Sequence, residues 1–342
     1  MSTRETYRAV QATEPGRLAL TELPLPTPAA GEVRIRVEAC GICHSDAATV
    51  EGVFPVAFPR VPGHEVVGRI DALGAGVSTF SVGQRVGVGY LGGNCGHCAR
   101  CRRGDFVGCL EQTMTGVQTD GGYAEVLIAR ESGLVTIPDE LDPVDAAPLL
   151  CAGLTTFNAL RQSGARAGDL VAILGVGGLG HLAVQFARRM GFRVVAIARG
   201  AEKGPLALEL GAHHYIDSVA TDAASELRRL GGAQFILATA SSAPAMSALI
   251  PALSPGGRLH AVGVDSVPLE VAMTDLIFGE RSLAGSLTGS SADNEDTLAF
   301  SVLQDIRATI EVVPLEQAAE AYARMLRNEA RFRIVLEMAP TA

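Results

Sequence analysis

Four cysteines, Cys95, Cys98, Cys101 and Cys109, fall within one short stretch, CGHCARCRRGDFVGC. Thiolates are soft ligands, and four of them at the spacing C-x2-C-x2-C-x7-C suit a tetrahedral Zn²⁺ with no position left for a substrate. Such a site ties a loop together and performs no reaction. Two disulfides or four unrelated thiols are the alternative readings. The N-terminal stretch MSTRETYRAV has no secretory apolar region, which disfavours the disulfides. The remaining cysteines are Cys40, Cys43 and Cys151. Cys43 lies in GICHSD, His64 and Glu65 lie in PGHE, and Cys151 follows AAPLL. Cys43, His64 and Cys151 offer S, N and S donors, with Glu65 as a carboxylate alongside. That is the ligand count of a zinc that keeps a fourth position open for water or substrate. Spacing alone does not bring three such distant residues together, and a lone Cys or His is more often a packed residue than a ligand.

A third motif concerns phosphate. Residues 170–180 read LVAILGVGGLG, followed by HLAVQFARRM. An apolar β-type run therefore ends in Gly175-x-Gly177-x-x-Gly180 and passes into a helical pattern, the setting in which these glycines indicate a dinucleotide. Gly175 permits the tight turn, Gly177 lets backbone approach a pyrophosphate, and Gly180 lets helix and strand pack closely. The helix N-terminus presents free N–H groups to the phosphates.

These motifs need scaffolds. A chain of 342 residues is long for one domain and comfortable for two. Hydrophobic content of 48% supports large cores, and charged content of 19% leaves no disordered tract in view. A formal net charge of −9 argues against a nucleic-acid partner, and no apolar run is long enough to span a bilayer. The expected compartment is the reduced cytoplasm. Residues 1–152 carry short β-like runs (VRIRVEA, VVGRIDAL, QRVGVGY) among Gly and Pro, the pattern of an irregular, barrel-like β domain, with the four-cysteine lobe at 92–110. Residues 153–288 alternate strand and helix. Strands are expected at 170–174, 193–198, 213–217, 234–238, 257–263 and 282–287, with helices at about 178–190, 202–210 and 222–230. Six strands in this rhythm fit a doubly wound parallel sheet. Residues 289–342 carry two helical stretches, DNEDTLAFSVLQDI and LEQAAEAYARMLRN, and a closing β-run, FRIVLEM, expected to rejoin the first domain. The fold class is α/β, with a Rossmann sheet inserted into a β-rich domain.

Taken together, GICHSD, PGHE, the four-cysteine lobe, DGGYAE, PLLCAGLTTFNAL, GVGGLG and RFRIVLEM resemble the zinc-dependent medium-chain alcohol dehydrogenase family, in its yeast-type and cinnamyl-alcohol-dehydrogenase-like branches. The resemblance covers nearly the whole chain and implies that the β-rich domain is GroES-like. It implies two Zn²⁺ per subunit: a catalytic zinc on Cys43, His64 and Cys151, and a structural one on Cys95, Cys98, Cys101 and Cys109. It places Asp46 against the imidazole of His64, makes Glu65 the nearby carboxylate, and gives Ser45 the alcohol proton. It also implies a homo-oligomer, dimer or tetramer, and a small alcohol, aldehyde or ketone as substrate. His44 and Arg333 match pyrophosphate contacts. Thr155 and Leu179 lie by the nicotinamide in relatives, and Gly178 and Val264 complete the expected coenzyme contacts. Phe54 and Tyr90 face the substrate, suiting medium-size aliphatic or aromatic groups.

Two features depart from the family pattern or refine it. Yeast-type relatives place a proton-relaying histidine shortly after the first zinc cysteine, and Glu51 stands there in this chain. Glu51 is read either as a proton acceptor or as a solvated surface residue. An NAD site also ordinarily has an acid at the tip of the second strand. Here RVVAIA ends at Ala198 and is followed by Arg199 and, at the next helix start, Lys203. Both cations suit a 2′-phosphate, so NADP(H) is expected over NAD(H). Two further readings stay open on the same scaffold: a reductase of another polarised bond, such as an imine or activated C=C, and a non-catalytic NADP(H)-binding protein.

Overall fold

The alternation of apolar and polar residues along VRIRVEA is the pattern of a strand with one covered face. In the computed structural model, which describes residues 5–339, Val33, Ile35 and Val37 are buried there and the polar residues between them are not. The strands are β1 (Thr6–Glu14), β2 (Arg17–Pro24), β3 (Glu32–Ile42), β4 (Val66–Leu73), β5 (Arg85–Val88), β6 (Val126–Arg130), β7 (Leu134–Thr136), β8 (Leu170–Leu174), β9 (Arg193–Ala198), β10 (His214–Asp217), β11 (Ala233–Ala238), β12 (Leu253–Ala261), β13 (Ser282–Gly285), β14 (Ile310–Pro314) and β15 (Arg333–Glu337). They fall into two units, one running to Leu154 and resuming at Thr288, the other spanning Thr155–Leu287.

The first unit holds a β1–β2 hairpin and a seven-stranded sheet of order β14-β15-β3-β4-β5-β7, with β6 also paired to β3. β15 lies antiparallel to β3, and β14 runs parallel to β15. The core of this unit gathers Ile35, Ile70, Val86, Tyr123, Leu127, Ile334 and Leu336. β3 and β4 pair antiparallel with Cys40 opposite Val66. That register brings the residues just after β3 beside those just before β4, which are the GICHSD and PGHE segments.

The second unit is a six-stranded, all-parallel sheet of order β10-β9-β8-β11-β12-β13. β8 is buried at every residue and β9 at all but its first, as strands covered on both faces must be. The chain order reverses between β8 and β11, and ligands of such sheets bind at that switch point. The expected elements are present with shifted ends. The helix expected at 178–190 runs Gly180–Arg189 and stops before Gly191, whose φ of 85° is a left-handed helix terminus. The 202–210 segment is a 3-10 turn, Ala201–Lys203, followed by a helix, Gly204–Glu209. The strand expected at 257–263 begins earlier, at Leu253, because Pro255 and Gly256 lie in an irregularity of the β11–β12 register rather than in a turn. Helix Ala243–Leu249 was not anticipated. Pro244 reads as a breaker, but it occupies the first turn, where the missing N–H costs nothing.

The motif glycines separate by what surrounds them. A Cβ on Gly180 would lie 1.8 Å from the Gly175 carbonyl oxygen, whereas one on Gly177 would meet nothing within 4 Å. Gly180→Ala is therefore expected to destabilise the protein by about 1–3 kcal/mol through overpacking, and Gly177→Ala to leave stability nearly unchanged. Denaturant unfolding of the two variants checks this; equal stabilities would contradict the packing role of Gly180.

Candidate functional site

The lobe cysteines converge first. One sulfur from each of Cys95, Cys98, Cys101 and Cys109 lies within 4.8 Å of the others, and Cys95 Sγ is 4.0 Å from Cys101 Sγ. Four sulfurs on a zinc at about 2.3 Å stand roughly 3.8 Å apart, so the cluster has ion-binding dimensions and is too open for a disulfide. The backbone is wrapped to support charge on sulfur. The N–H of Cys98 donates to Cys95 Sγ, that of Cys101 to Cys98 Sγ, and those of Cys95 and Glu111 to Cys109 Sγ, at 3.3–3.5 Å. Backbone N–H groups of Cys101 and Leu110 lower the Cys98 thiol to about 6.

The second cluster is assembled from three segments of the first unit. Cys43 caps the 3-10 turn His44–Asp46 at the end of β3, His64 and Glu65 precede β4, and Cys151 follows the 3-10 turn Ala147–Leu150. Their donor atoms lie within 4.8 Å of one another, all four residues are buried, and the Cys43 and Cys151 sulfurs are 4.0 Å apart. Asp46 organises the turn. Its Oδ1 accepts the Nδ1–H of His64 at 2.9 Å, and its Oδ2 accepts the Cys43 backbone N–H at 2.9 Å and the Tyr123 hydroxyl at 2.7 Å. That leaves His64 Nε2 buried without a protein partner. A buried imidazole nitrogen aimed at two thiols is what a bound cation would satisfy. The Cys43 thiol is held well below its usual range, first by a hydrogen bond from Cys151 and then by His64 and Arg333. Burial alone would push His64 down; Asp46 and Cys43 outweigh it and hold it well above its ordinary value. The Cys151 thiol, by its hydrogen bond to Cys43 and by burial, is held well above its usual range; a second thiolate there would need a cation beside it, and the donor set fits a divalent metal of zinc's preferences.

Around this cluster, Glu65 Oε1 is paired with the guanidinium of Arg333 from β15, and both side chains are buried. Burial pushes Glu65 up to about 7, against the pull of Arg333. Tyr90 is packed edge-on against His64, ring centres 5.0 Å apart, and its hydroxyl donates to Met114 Sδ. His44 and Ser45 face solvent on the same turn that buries Asp46. Phe54 is 44% exposed. Glu51 is exposed, and its Oε1 accepts the hydroxyl of the buried Tyr322 at 2.9 Å. Three supporting residues were not singled out in the sequence: Tyr123, Tyr322 and Asn294, whose amide donates to the Leu150 carbonyl next to Cys151. Tyr123 was visible within DGGYAE; no local signal marks the other two.

In the second unit, Gly175, Gly177, Gly178, Leu179 and Gly180 form the turn between β8 and its helix. Thr239, just after β11, donates its hydroxyl to the Leu174 carbonyl and closes the switch point. Thr155 is buried and Val264 is 85% exposed. Past the tip of β9, Arg199 is exposed and Lys203 half-buried. The tip is less free of acid than the sequence suggested. Asp217 Oδ1 accepts the N–H groups of Gly200 and Val219, and the Glu202 carboxylate folds over Gly200. Asp217 comes from the neighbouring strand, so spacing past the glycines does not reveal it.

A parallel sheet with a glycine turn at its switch point, joined in one chain to a buried S,N,S cluster and a four-thiol lobe, defines a zinc-binding oxidoreductase. Residues 29–139 match the alcohol dehydrogenase GroES-like domain, and residues 178–302 match the zinc-binding dehydrogenase family. The chain is 42% identical over 339 residues to alcohol dehydrogenase notN of an Aspergillus species, covering 99% of this chain and 100% of that protein. Two solved structures superpose at TM-scores of 0.87: acetophenone reductase from Geotrichum candidum in complex with NAD, 28% identical over 98% of each chain, and the CAD of Helicobacter pylori complexed with NADP(H), 26% identical over 99% of this chain and 100% of that one. The chain belongs to the zinc-dependent medium-chain alcohol dehydrogenase family. Among the described residues, no helix is long and apolar enough to cross a membrane.

The two clusters predict different losses. Cys43→Ala is expected to lower zinc content by one ion per chain and keep the fold, because three segments of a packed domain hold that site. Cys98→Ala is expected to lose the other ion and loosen the lobe, which has little else to order it. Metal analysis with limited proteolysis decides it; identical proteolytic patterns in the two variants would refute the division of roles.

Proposed function

We propose that the chain oxidises alcohols, or in reverse reduces aldehydes and ketones, by hydride exchange with a nicotinamide coenzyme at a zinc centre held by Cys43, His64 and Cys151. The observation that carries this reading is the buried convergence of those residues with His64 Nε2 left unpartnered. A zinc ion there supplies electrophilic polarisation of the substrate oxygen. The chain's own groups do the rest. Asp46 engages Nδ1, so that Nε2 is the ring nitrogen left to face the ion. Ser45, exposed one turn from Cys43, takes the alcohol proton. Phe54 and Tyr90 supply apolar walls suited to medium-size aliphatic or aromatic groups. Cys95, Cys98, Cys101 and Cys109 hold a second, structural zinc, giving two per subunit.

For the coenzyme, Gly177 leaves open space over the turn and the helix from Gly180 supplies N–H groups for a pyrophosphate. Thr155, Gly178, Leu179, Val264, His44 and Arg333 are proposed as further coenzyme contacts. Arg333 is paired with Glu65, and its buried Nε has no partner. NADP(H) is the proposed coenzyme, held at the 2′-phosphate by Arg199 and Lys203. The Glu202 carboxylate over Gly200 favours the opposite reading, a ribose hydroxyl and NAD(H). Arg199→Ala is expected to weaken NADP(H) binding by about 1.5–3 kcal/mol and leave NAD(H) nearly unchanged. Titration of the protein with each coenzyme measures this; a wild-type preference for NAD(H), or equal losses for both, would overturn it.

Glu51 is proposed as an accessory to proton release at most, since Tyr322 already occupies one of its oxygens. That same contact favours a second reading, reduction of an imine or activated C=C without a relay, which a substrate screen separates. Ser45→Ala is expected to cut alcohol oxidation by about 10²-fold, and Glu51→Gln by less than about tenfold with an altered pH profile. Rates from pH 6 to 10 test the pair; the reverse ranking would exchange the roles. A second copy of the chain is the proposed macromolecular partner. The terminal strand β13, with exposed Ile277 and Phe278 nearby in sequence, offers it an apolar edge. Seven free cysteines suit a reducing cytoplasm.

A further inference from the structure

The DGGYAE motif carries a role that the ligand set leaves unassigned. Its backbone is zipped to PGHE: Gly121 N–H donates to the Val61 carbonyl, Gly122 N–H to that of Gly63, and Tyr123 N–H to that of Pro62. The Tyr123 ring then passes over Gly63, where an added Cβ would stand 2.4 Å from Tyr123 Cδ1. Gly63 immediately precedes His64, so the close approach is what carries a full phenol past the ligand. The ring is fully buried, and its hydroxyl ends 2.7 Å from Asp46 Oδ2.

Asp46 has two oxygens and reaches two ligand-bearing residues, the Cys43 backbone through Oδ2 and the His64 ring through Oδ1. A carboxylate with one backbone donor on Oδ2 can still rotate about its terminal bond, which is broad in energy. A second donor from another segment pins that plane. We propose that Tyr123 is a positioning residue for the Cys43–His64–Cys151 centre: its hydroxyl locks the Asp46 carboxylate so that Oδ1 alone meets His64 Nδ1–H, aiming Nε2 at the two thiols. This rests on reading those three residues as a zinc site. The phenol is a donor throughout the working range, because burial and Asp46 together hold it well above its usual value. Loss of an outer partner of a ligand typically costs ten- to a hundredfold in metal affinity.

The test is zinc release from the loaded protein into a chromogenic chelator, with Cys43→Ala identifying which phase belongs to this centre. Tyr123→Phe removes one buried oxygen and keeps the ring. It is expected to speed release of the Cys43-dependent zinc by roughly ten- to a hundredfold, while release from the four-cysteine lobe stays at the wild-type rate. Asp46→Asn should speed the same phase, and adding Tyr123→Phe to it should change nothing further, because the hydroxyl acts through that carboxylate. An unchanged rate in Tyr123→Phe, or multiplying effects in the double variant, would overturn the proposal. If Tyr123→Phe does not fold, 3-fluorotyrosine at position 123, a stronger donor of almost the same size, should slow that phase, and an unchanged rate refutes the idea. Equal zinc content in wild type and Cys43→Ala would instead remove the metal reading itself, an outcome distinct from failure of Tyr123 alone.

Discussion

A buried cluster of ionisable groups constrains the first unit more than any other feature. Cys43, His64, Glu65, Cys151, Asp46 and Arg333 all lie out of water. Unpaired charges there would cost several kcal/mol each, so every one must be answered. The chain answers most of them internally: Arg333 faces Glu65, and Asp46 takes three donors from Cys43, His64 and Tyr123. His64 Nε2, Glu65 Oε2 and Arg333 Nε are left without a protein partner, and beside them the Cys43 and Cys151 sulfurs stand 4.0 Å apart. A divalent ion at that point would suit both the charge balance and the ligand types.

That requirement shapes the backbone around it. β3 and β4 pair in the register that puts Cys43 beside His64, and β15, arriving from the far end of the chain, joins β3 and brings Arg333 to Glu65. The glycines of PGHE and DGGYAE let two loops run in direct contact so that a buried phenol can reach Asp46. The four-cysteine lobe follows the opposite logic. It has few apolar contacts, with Phe106, Val107 and Leu110 partly or largely exposed. Its sulfurs are instead served by their own backbone N–H groups, a local arrangement that needs no distant element.

The second unit depends on one topological fact, the reversal of strand order between β8 and β11. The chain leaves β8 and β11 toward opposite edges of the sheet, and the glycine turn after β8 is tight because Gly180 sits against the Gly175 carbonyl. The side chains proposed to bear on coenzyme choice lie elsewhere on this unit, past β9: Arg199, Lys203 and Glu202, with Asp217 accepting the Gly200 N–H. Solved relatives of the same fold hold NAD in one case and NADP(H) in another, so the fold leaves that choice to a few side chains.

Much of this was legible before folding was considered. The lobe is local, so its spacing alone displayed a four-sulfur site. The glycine turn between an apolar run and a helical pattern was equally local, as were the fully apolar strands of the parallel sheet. Cys43, His64 and Cys151 were readable as ligands only through their motifs, since nothing in their separation of up to about a hundred residues fixes a distance. Tertiary structure decided what depends on contacts between remote segments: that Arg333 pairs with Glu65, that Glu51 holds Tyr322, that Asp217 reaches the tip of β9, and that Tyr123 completes the donors on Asp46. Hydrophobic period and turn chemistry act over a few residues and leave their trace in composition. A hydrogen bond between residues 46 and 123 leaves none, because either partner alone is an ordinary polar side chain until the fold removes the water around both.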